Sequence, residues 1–411
     1  MEIKKQVFQS ALLFSSMLGA MVFNFFGSVL ITKILGPISY GDLKFIQTLW
    51  MLFALLSTFG FLQSGSRILL LEKDENQTKQ IVSVILLLAL IMGFFLALFI
   101  AIIAYPIDLI FHTDVFFIIL VTAPLVIGIT LRDTMLLILQ STNQITLLAG
   151  LNIFPGLFNL IGLYILSKIT IINTGITLAI QQLSLIFVIL VIIIIIRPRS
   201  GSFRYYWQNI REENKEFGFH IYTGSIAAVA TTYINRLALS YWVDNTALGF
   251  YSLASSLTEP LRLMPNAAAT SFYKTFSNRK FISKKIFLIT IMSSIFSLAG
   301  AYVFFGKPLT ALYSKDFSSV GHIARIISIA AIAFGFGDFL NKFLSSHGEG
   351  KKIRNAAYIS GAVNVLGSFF LLPFIGINGA MITSLLAGFS YLTSIYLYYR
   401  RFKINVINTE F

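Results

Sequence analysis

Long apolar runs separated by short polar stretches occupy almost the whole chain. A helix that crosses a bilayer needs about 20 predominantly apolar residues. Twelve stretches meet that length. In the first half they are 10–31, 45–64, 81–105, 116–139, 147–166 and 175–196, and in the second 219–242, 248–272, 286–305, 323–344, 355–372 and 378–398. A spanning strand needs only about ten residues of alternating character. These runs are longer and apolar on every side, so the pattern predicts helices. One interruption stands apart. Arg197 to Glu216, RPRSGSFRYYWQNIREENKE, follows the run LIFVILVIIIII and lies close to the midpoint of the 411 residues. It divides the chain into an expected bundle over 1–196, a cytoplasmic linker over 197–216 and a second bundle over 217–411.

Within that linker Phe203, Tyr206, Trp207 and Ile210 fall at helical spacing, which suits an amphipathic surface helix. A basic linker anchored at the headgroups by its aromatics explains the same residues, and is the simpler expectation. The first run follows MEIKKQVFQS and extends to Ile31 with no small-residue cleavage site, so it is expected to be a span and not a leader.

Composition and charge sharpen the picture. Hydrophobic residues make up 56% and charged residues 12%, about half the charged share of a soluble domain. There is no cysteine, which excludes disulfides and thiolate chemistry. The net charge of +14 does not call for nucleic acid, because basic residues collect on the cytoplasmic side of membrane proteins. With the N-terminus inside, the inner segments hold Lys4 and Lys5; Arg67, Lys73 and Lys79; Arg197, Arg199, Arg204, Arg211 and Lys215; Lys274, Arg279, Lys280, Lys284 and Lys285; Lys351, Lys352 and Arg354; and Arg400, Arg401 and Lys403. The outer segments hold Lys33, Lys44, Lys168, Lys307 and Lys315. That bias places both termini in the cytoplasm, which an even number of spans permits.

The two halves resemble each other. GLFNLIG at Gly156 and GAVNVLG at Gly361 align Gly156, Asn159 and Gly162 with Gly361, Asn364 and Gly367, and at the same offset Asp133 falls on Asp338. LGPISYGDL around Gly41 similarly echoes DNTALGFYSL around Gly249. Six spans per half give both halves one orientation, so the repeats are related by an axis along the membrane normal, as in several transporters. The glycines themselves suit close helix packing. The expected fold is all-α and integral to the membrane, with twelve helices in two six-helix bundles.

At this point the chain resembles a family. ITKILGPISYGDLKFIQTLW is similar to the first loop of polysaccharide flippases of the MOP (MATE-like) superfamily, where an LGP-x-x-x-G stretch joins the first two spans. FGFLQSGSRILL resembles the end of their second span, LGFYSLASSL the repeated loop motif after the seventh, and LPFIGINGAMITSLLAGFS their passage into the twelfth. The last is usually GxxGAA-like; here Gly376, Gly379 and Ala380 are followed by Met381. The closest resemblance is to the Wzx-type O-antigen flippases. It implies translocation of undecaprenyl-pyrophosphate-linked oligosaccharide repeat units across the bacterial inner membrane, together with other polysaccharide assembly proteins.

The residues add candidates of their own. A charge at membrane depth costs about 2.5–3.5 kcal/mol on insertion scales and marks a functional site by default. The spans hold Arg132, Asp133, Arg236, Glu259, Arg262, Arg325, Asp338 and Lys342. Glu259 and Arg262, and Asp338 and Lys342, share helix faces and could pair locally. Arg132 and Asp133 are adjacent and are expected to point apart. Arg325 lies near a span end, where it could snorkel. Arg236 has no acid within a turn, and Asn235 and Thr232 are its polar neighbours. A cavity between the bundles with surplus cation would attract an anion, and Arg suits phosphate oxygens. Arg236, Arg132, Arg262 and Asn235 are therefore the expected substrate contacts, and Asp133, Asp338, Lys342 and Glu259 the coupling or ion-pairing groups.

Two other readings stay open. A MATE-like exporter of cationic drugs commonly uses a carboxylate in its first span, where this chain has Asn24; Asp338 or Glu259 could still bind a coupling ion. A membrane polymerase needs a long catalytic outer loop, and the longest one here, 306–322, is short. His112, His220, His322 and His347 have no metal-ligand spacing, HGEGKK is not a phosphate loop, and GFGDFL lacks a third glycine. No cofactor and no enzymatic activity are expected.

Overall fold

The computed structural model describes residues 2–226, 229, 231–271, 276, 279 and 281–408, without the side chains of 2–8, 10, 267, 268, 270, 271 and 405–408. Phe272, where the eighth run ends, and Lys274 and Lys280 lie outside the described residues. Every regular element among those described is helical, and eight helices are long and apolar enough to cross a membrane. The chain forms two compact units, Met1–Ile226 and Ala227–Phe411.

The first unit runs α1 (Glu2–Ser57), α2 (Phe61–Leu71), α3 (Glu75–Phe111), α4 (Phe116–Thr122), α5 (Ile127–Ser141), α6 (Ile145–Ile169), α7 (Thr174–Ile196), α8 (Phe203–Glu213) and α9 (Phe219–Ser225). The first two apolar runs both fall within α1, and the helix is interrupted between them at Gly36. There φ is 70° and ψ −179°, a backbone region essentially restricted to glycine. Pro37 follows and has no N–H to continue the ladder. Helix α3 starts where Asp74 accepts the amide of Asn76 at 2.8 Å, an N-cap that satisfies a free donor of the first turn. The core of this unit collects Ile81, Ile85 and Ala89 of α3, Met135 and Ile138 of α5 and Ile189 of α7, all buried.

After Ile196 the chain is irregular over 197–202 and then forms the helix α8. Its apolar stripe packs inward: Tyr206 and Ile210 of α8 are buried in the same core, and Trp207 meets the Phe61 ring with centroids 5.0 Å apart. Arg67 of α2 pairs with Glu213 at 2.8 Å.

The second unit runs α10 (Thr231–Trp242), α11 (Asn245–Ser271), α12 (Lys284–Phe304), α13 (Lys307–Leu312), α14 (Ser318–Ser346), α15 (Gly350–Phe370) and α16 (Leu372–Asn408). Helices α10, α11 and α15 are not among the eight apolar ones. The first has 12 residues, the second carries Glu259, Pro260, Arg262 and Pro265, and the third opens on GKKIRN. Phe276, Phe339, Phe343, Ala356 and Ile395 form the core.

The sequence repeat has a structural counterpart inside each unit. In the first, Asn159 of α6 faces α1, its Nδ2 3.6 Å from where a Cβ at Gly27 would lie. In the second, Asn364 of α15 accepts a hydrogen bond from Asn235 of α10 at 2.6 Å. In both units, then, the repeated asparagine meets the opening helix of its own unit.

Candidate functional site

The site lies within the second unit, around one short glycine-spaced segment. Helix α14 reads GFGDFL from Gly335. A Cβ at Gly335 would lie 2.7 Å from the carbonyl oxygen of Arg262, so α11 packs directly against the α14 backbone there. A Cβ at Gly337 would collide with the Tyr391 ring of α16. Small residues allow such approach. It brings Asp338 between two partners: Arg262 Nε donates to its Oδ2 at 2.9 Å, and the Tyr391 hydroxyl donates to its Oδ1 at 3.3 Å. Asn341 Nδ2 donates to the Tyr391 oxygen at 2.9 Å, and the Arg262 guanidinium lies over the Phe334 ring at 5.3 Å.

Beside this network opens a hollow of about 140 Å3, lined by Thr232, Asn235 and Arg236 of α10, Tyr251, Ser255, Thr258, Glu259 and Arg262 of α11, Phe334 of α14, Asn364 of α15 and Ser384 of α16. Helical spacing explains the polar stripe on α11: 251, 255, 258, 259 and 262 share a face. The volume holds several waters. Arg236 Nε is buried and has no hydrogen-bond partner among the described residues, and neither has Asn235 Oδ1. A buried donor or acceptor left unsatisfied costs about 1–3 kcal/mol, more for a charged group, so the Arg236 donor and the Asn235 acceptor stand ready for a ligand. Glu259 lines the same hollow, solvent-exposed.

The expected residues are thus sorted. Arg236, Asn235, Arg262 and Glu259 meet at one hollow. The local pairings do not form: Arg262 turns from Glu259 to Asp338 on the neighbouring helix, because the close approach at Gly335 makes the cross-helix acid nearer. Lys342 is half-buried and does not line the hollow. Arg132 and Asp133, expected to point apart, approach to 3.6 Å in the first unit. Arg325 bonds the Tyr302 carbonyl at 3.3 Å. Tyr391 and Asn341 carried no sequence signal. Asn364 did carry one, since it is the repeated asparagine, but it was legible only as packing.

Comparison with known proteins then gives the context of this geometry. Residues 9–278 match the family described as "Polysaccharide biosynthesis protein". Among solved structures, one described as "Lipid II flippase MurJ, inward closed conformation" is similar at a TM-score of 0.73 with 16% identity, over 98% of this chain and 91% of that one. An inward-facing multidrug resistance MATE family transporter of the MOP superfamily is similar at 0.75 with 11% identity, over 97% and 99%. A MOP superfamily transporter from Pyrococcus furiosus, whose description cites a binding pocket of reversed polarity, is similar at 0.57 with 13% identity, over 96% and 95%. At these identities the likeness is one of fold. A comparison with curated proteins finds no match.

Proposed function

The chain belongs to the polysaccharide biosynthesis protein family and has the fold of MOP superfamily transporters, and from that premise we propose that it flips a polyprenyl-pyrophosphate-linked oligosaccharide across the bacterial inner membrane. The single observation that carries this reading is Arg236. Its guanidinium faces the hollow with a buried, unpartnered Nε, and Asn235 and Arg262 stand beside it. A guanidinium suits the oxygens of a phosphate. Arg132, in the first unit, is proposed as a second contact. Asp338, held by Arg262 and Tyr391, Glu259, Asp133 and Lys342 are the proposed coupling or pairing groups. Transport proceeds by alternating access, as in related architectures.

Twelve crossings follow if α1 crosses twice about its Gly36 kink, α11 and α15 cross despite their polar residues, and the 12-residue α10 forms part of one more crossing. Both termini then lie in the cytoplasm with the basic segments. Because the chain has no cysteine, Arg204→Cys and Arg401→Cys each provide a unique reporter. In intact spheroplasts both are expected to resist an impermeant thiol reagent added outside; labelling of either overturns the topology.

One observation favours a second reading. Glu259 presents a carboxylate to the same hollow, which suits a cation and so a drug exporter. Cells lacking the protein separate the two. Loss of surface polysaccharide with unchanged tolerance to cationic drugs is the expected result. Lost tolerance with normal polysaccharide would establish the exporter instead.

A further inference from the structure

We propose that the outer face of α8 is a binding site for the phosphate of an anionic membrane phospholipid, separate from the hollow in the second unit and independent of what is transported there. A hollow of about 330 Å3 opens on this face, lined by Arg204, Trp207, Gln208, Arg211, Glu212 and Lys215. Arg204 and Arg211 fall on one stripe of α8, and Lys215 follows in the π-helical turn Asn214–Gly218 that continues it. All three are exposed, and none has an ion pair or hydrogen bond among the described residues. Nearby basic residues are used differently. Arg67 pairs with Glu213 and lies 4.2 Å over the Phe217 ring. Arg199 donates to Asn76 Oδ1 at 2.5 Å. The fold thus spends Arg67 and Arg199 on its own joints and leaves three cations around a hollow with one carboxylate, Glu212. Two guanidiniums and an ammonium around one hollow are phosphate chemistry.

The place of α8 identifies the source of that phosphate. Its inner face is pinned to the start of α3: Tyr206 donates to Gln80 Oε1 at 3.0 Å, and just before the helix the Arg199 amide donates to the Lys79 carbonyl at 3.2 Å. Lys79 and Gln80 end the polar opening of α3, ENQTKQ, and the apolar run begins at Ile81. Helix α8 therefore lies at the depth where α3 passes from polar to apolar surroundings, which is headgroup depth. Its flank fits that depth. Phe203 and Tyr205 are exposed, as are Leu70 and Leu71 at the end of α2, and Phe203 stacks on Trp207 with the rings 7° from parallel. Aromatic residues beside basic ones are the pattern of a helix seated in the interface.

The test uses the purified full-length protein in uncharged detergent, with thermal stability followed while phosphatidylglycerol, phosphatidylcholine or inorganic phosphate is added. Phosphatidylglycerol is expected to raise the melting temperature saturably, and the other two to have little effect. A basic residue at a membrane surface contributes about five-fold in affinity. The combined variant Arg204→Gln, Arg211→Gln, Lys215→Gln should therefore need at least about ten-fold more phosphatidylglycerol for half its shift. Glu212→Gln removes the opposing charge and should need two- to five-fold less, an arm that stands even if the combined variant does not fold. An equal response to phosphatidylcholine overturns the proposal, as does a change under about three-fold in the combined variant, or under about 1.5-fold in Glu212→Gln where that variant alone folds. Inorganic phosphate matching phosphatidylglycerol at equal concentration would mark a free-anion site and overturn the lipid assignment.

Discussion

Arg236→Ala is expected to insert and fold normally and yet lose transport of the lipid-linked sugar by about 10–100-fold, the worth of one hydrogen bond to a charged group at about 1.5–3 kcal/mol. The expectation rests on what the alanine removes. Arg236 Nε is buried without a partner, so the folded protein loses no hydrogen bond with it and sheds an unsatisfied donor. The melting temperature should hold or rise. Arg236→Lys should recover part of the rate through charge alone, without the fork that grips two phosphate oxygens. Glu259→Gln separates the two transport readings in the same assay. An anion carrier should tolerate it, or speed up, because a carboxylate beside the arriving phosphate is repulsive, whereas a cation exporter should lose its activity. Normal sugar export by well-expressed Arg236→Ala would sink the phosphate role. A lowered melting temperature, restored by removing a nearby acid as well, would make Arg236 a structural group.

How much of this was legible in the sequence depends on the range of the interaction. Helical, membrane-embedded architecture follows from run length alone, and the internal repeat was visible in GLFNLIG and GAVNVLG. What linear spacing could not supply was helix rotation. The only pairings it could offer were Arg262 with Glu259 and Asp338 with Lys342, because residues three and four apart are the only neighbours a single helix reveals. The actual pair, Arg262 with Asp338 at 2.9 Å, depends on how closely α11 approaches α14, which Gly335 sets from another part of the chain. The same limit hid Tyr391, a tyrosine in an apolar run whose role exists only because Gly337 lets its ring against α14. Gly36 shows a subtler case. LGP correctly marked a break between two runs, and the break is made by one residue of glycine-only geometry rather than by a longer loop. In the central stretch, the aromatic spacing at Phe203, Tyr206, Trp207 and Ile210 was the signal for the helix that forms there.

Asp338→Ala is expected to be the most destabilising single change around the hollow. Asp338 receives donors from Arg262 and Tyr391, and its side chain is 19% exposed. Its removal leaves the Arg262 guanidinium without a counter-charge and the Tyr391 hydroxyl without its acceptor. Breaking a fully buried pair costs about 3–5 kcal/mol. Here Arg262 is 41% exposed, so water from the hollow takes up part of the loss, and about 1–3 kcal/mol is the expected cost, the range for leaving a donor unsatisfied. Thermal unfolding in detergent reads this directly. The sign of the second substitution carries the argument. Adding Arg262→Met to Asp338→Ala removes the stranded cation and should restore most of the lost stability, since replacing both partners by apolar groups can be nearly neutral. Transport should stay impaired in that double variant, because Arg262 also lines the hollow beside Arg236. If stability and transport return together, Arg262 serves only the fold. If stability stays low when both partners are gone, the ion pair is not what holds α11 against α14, and the packing at Gly335 carries that contact alone.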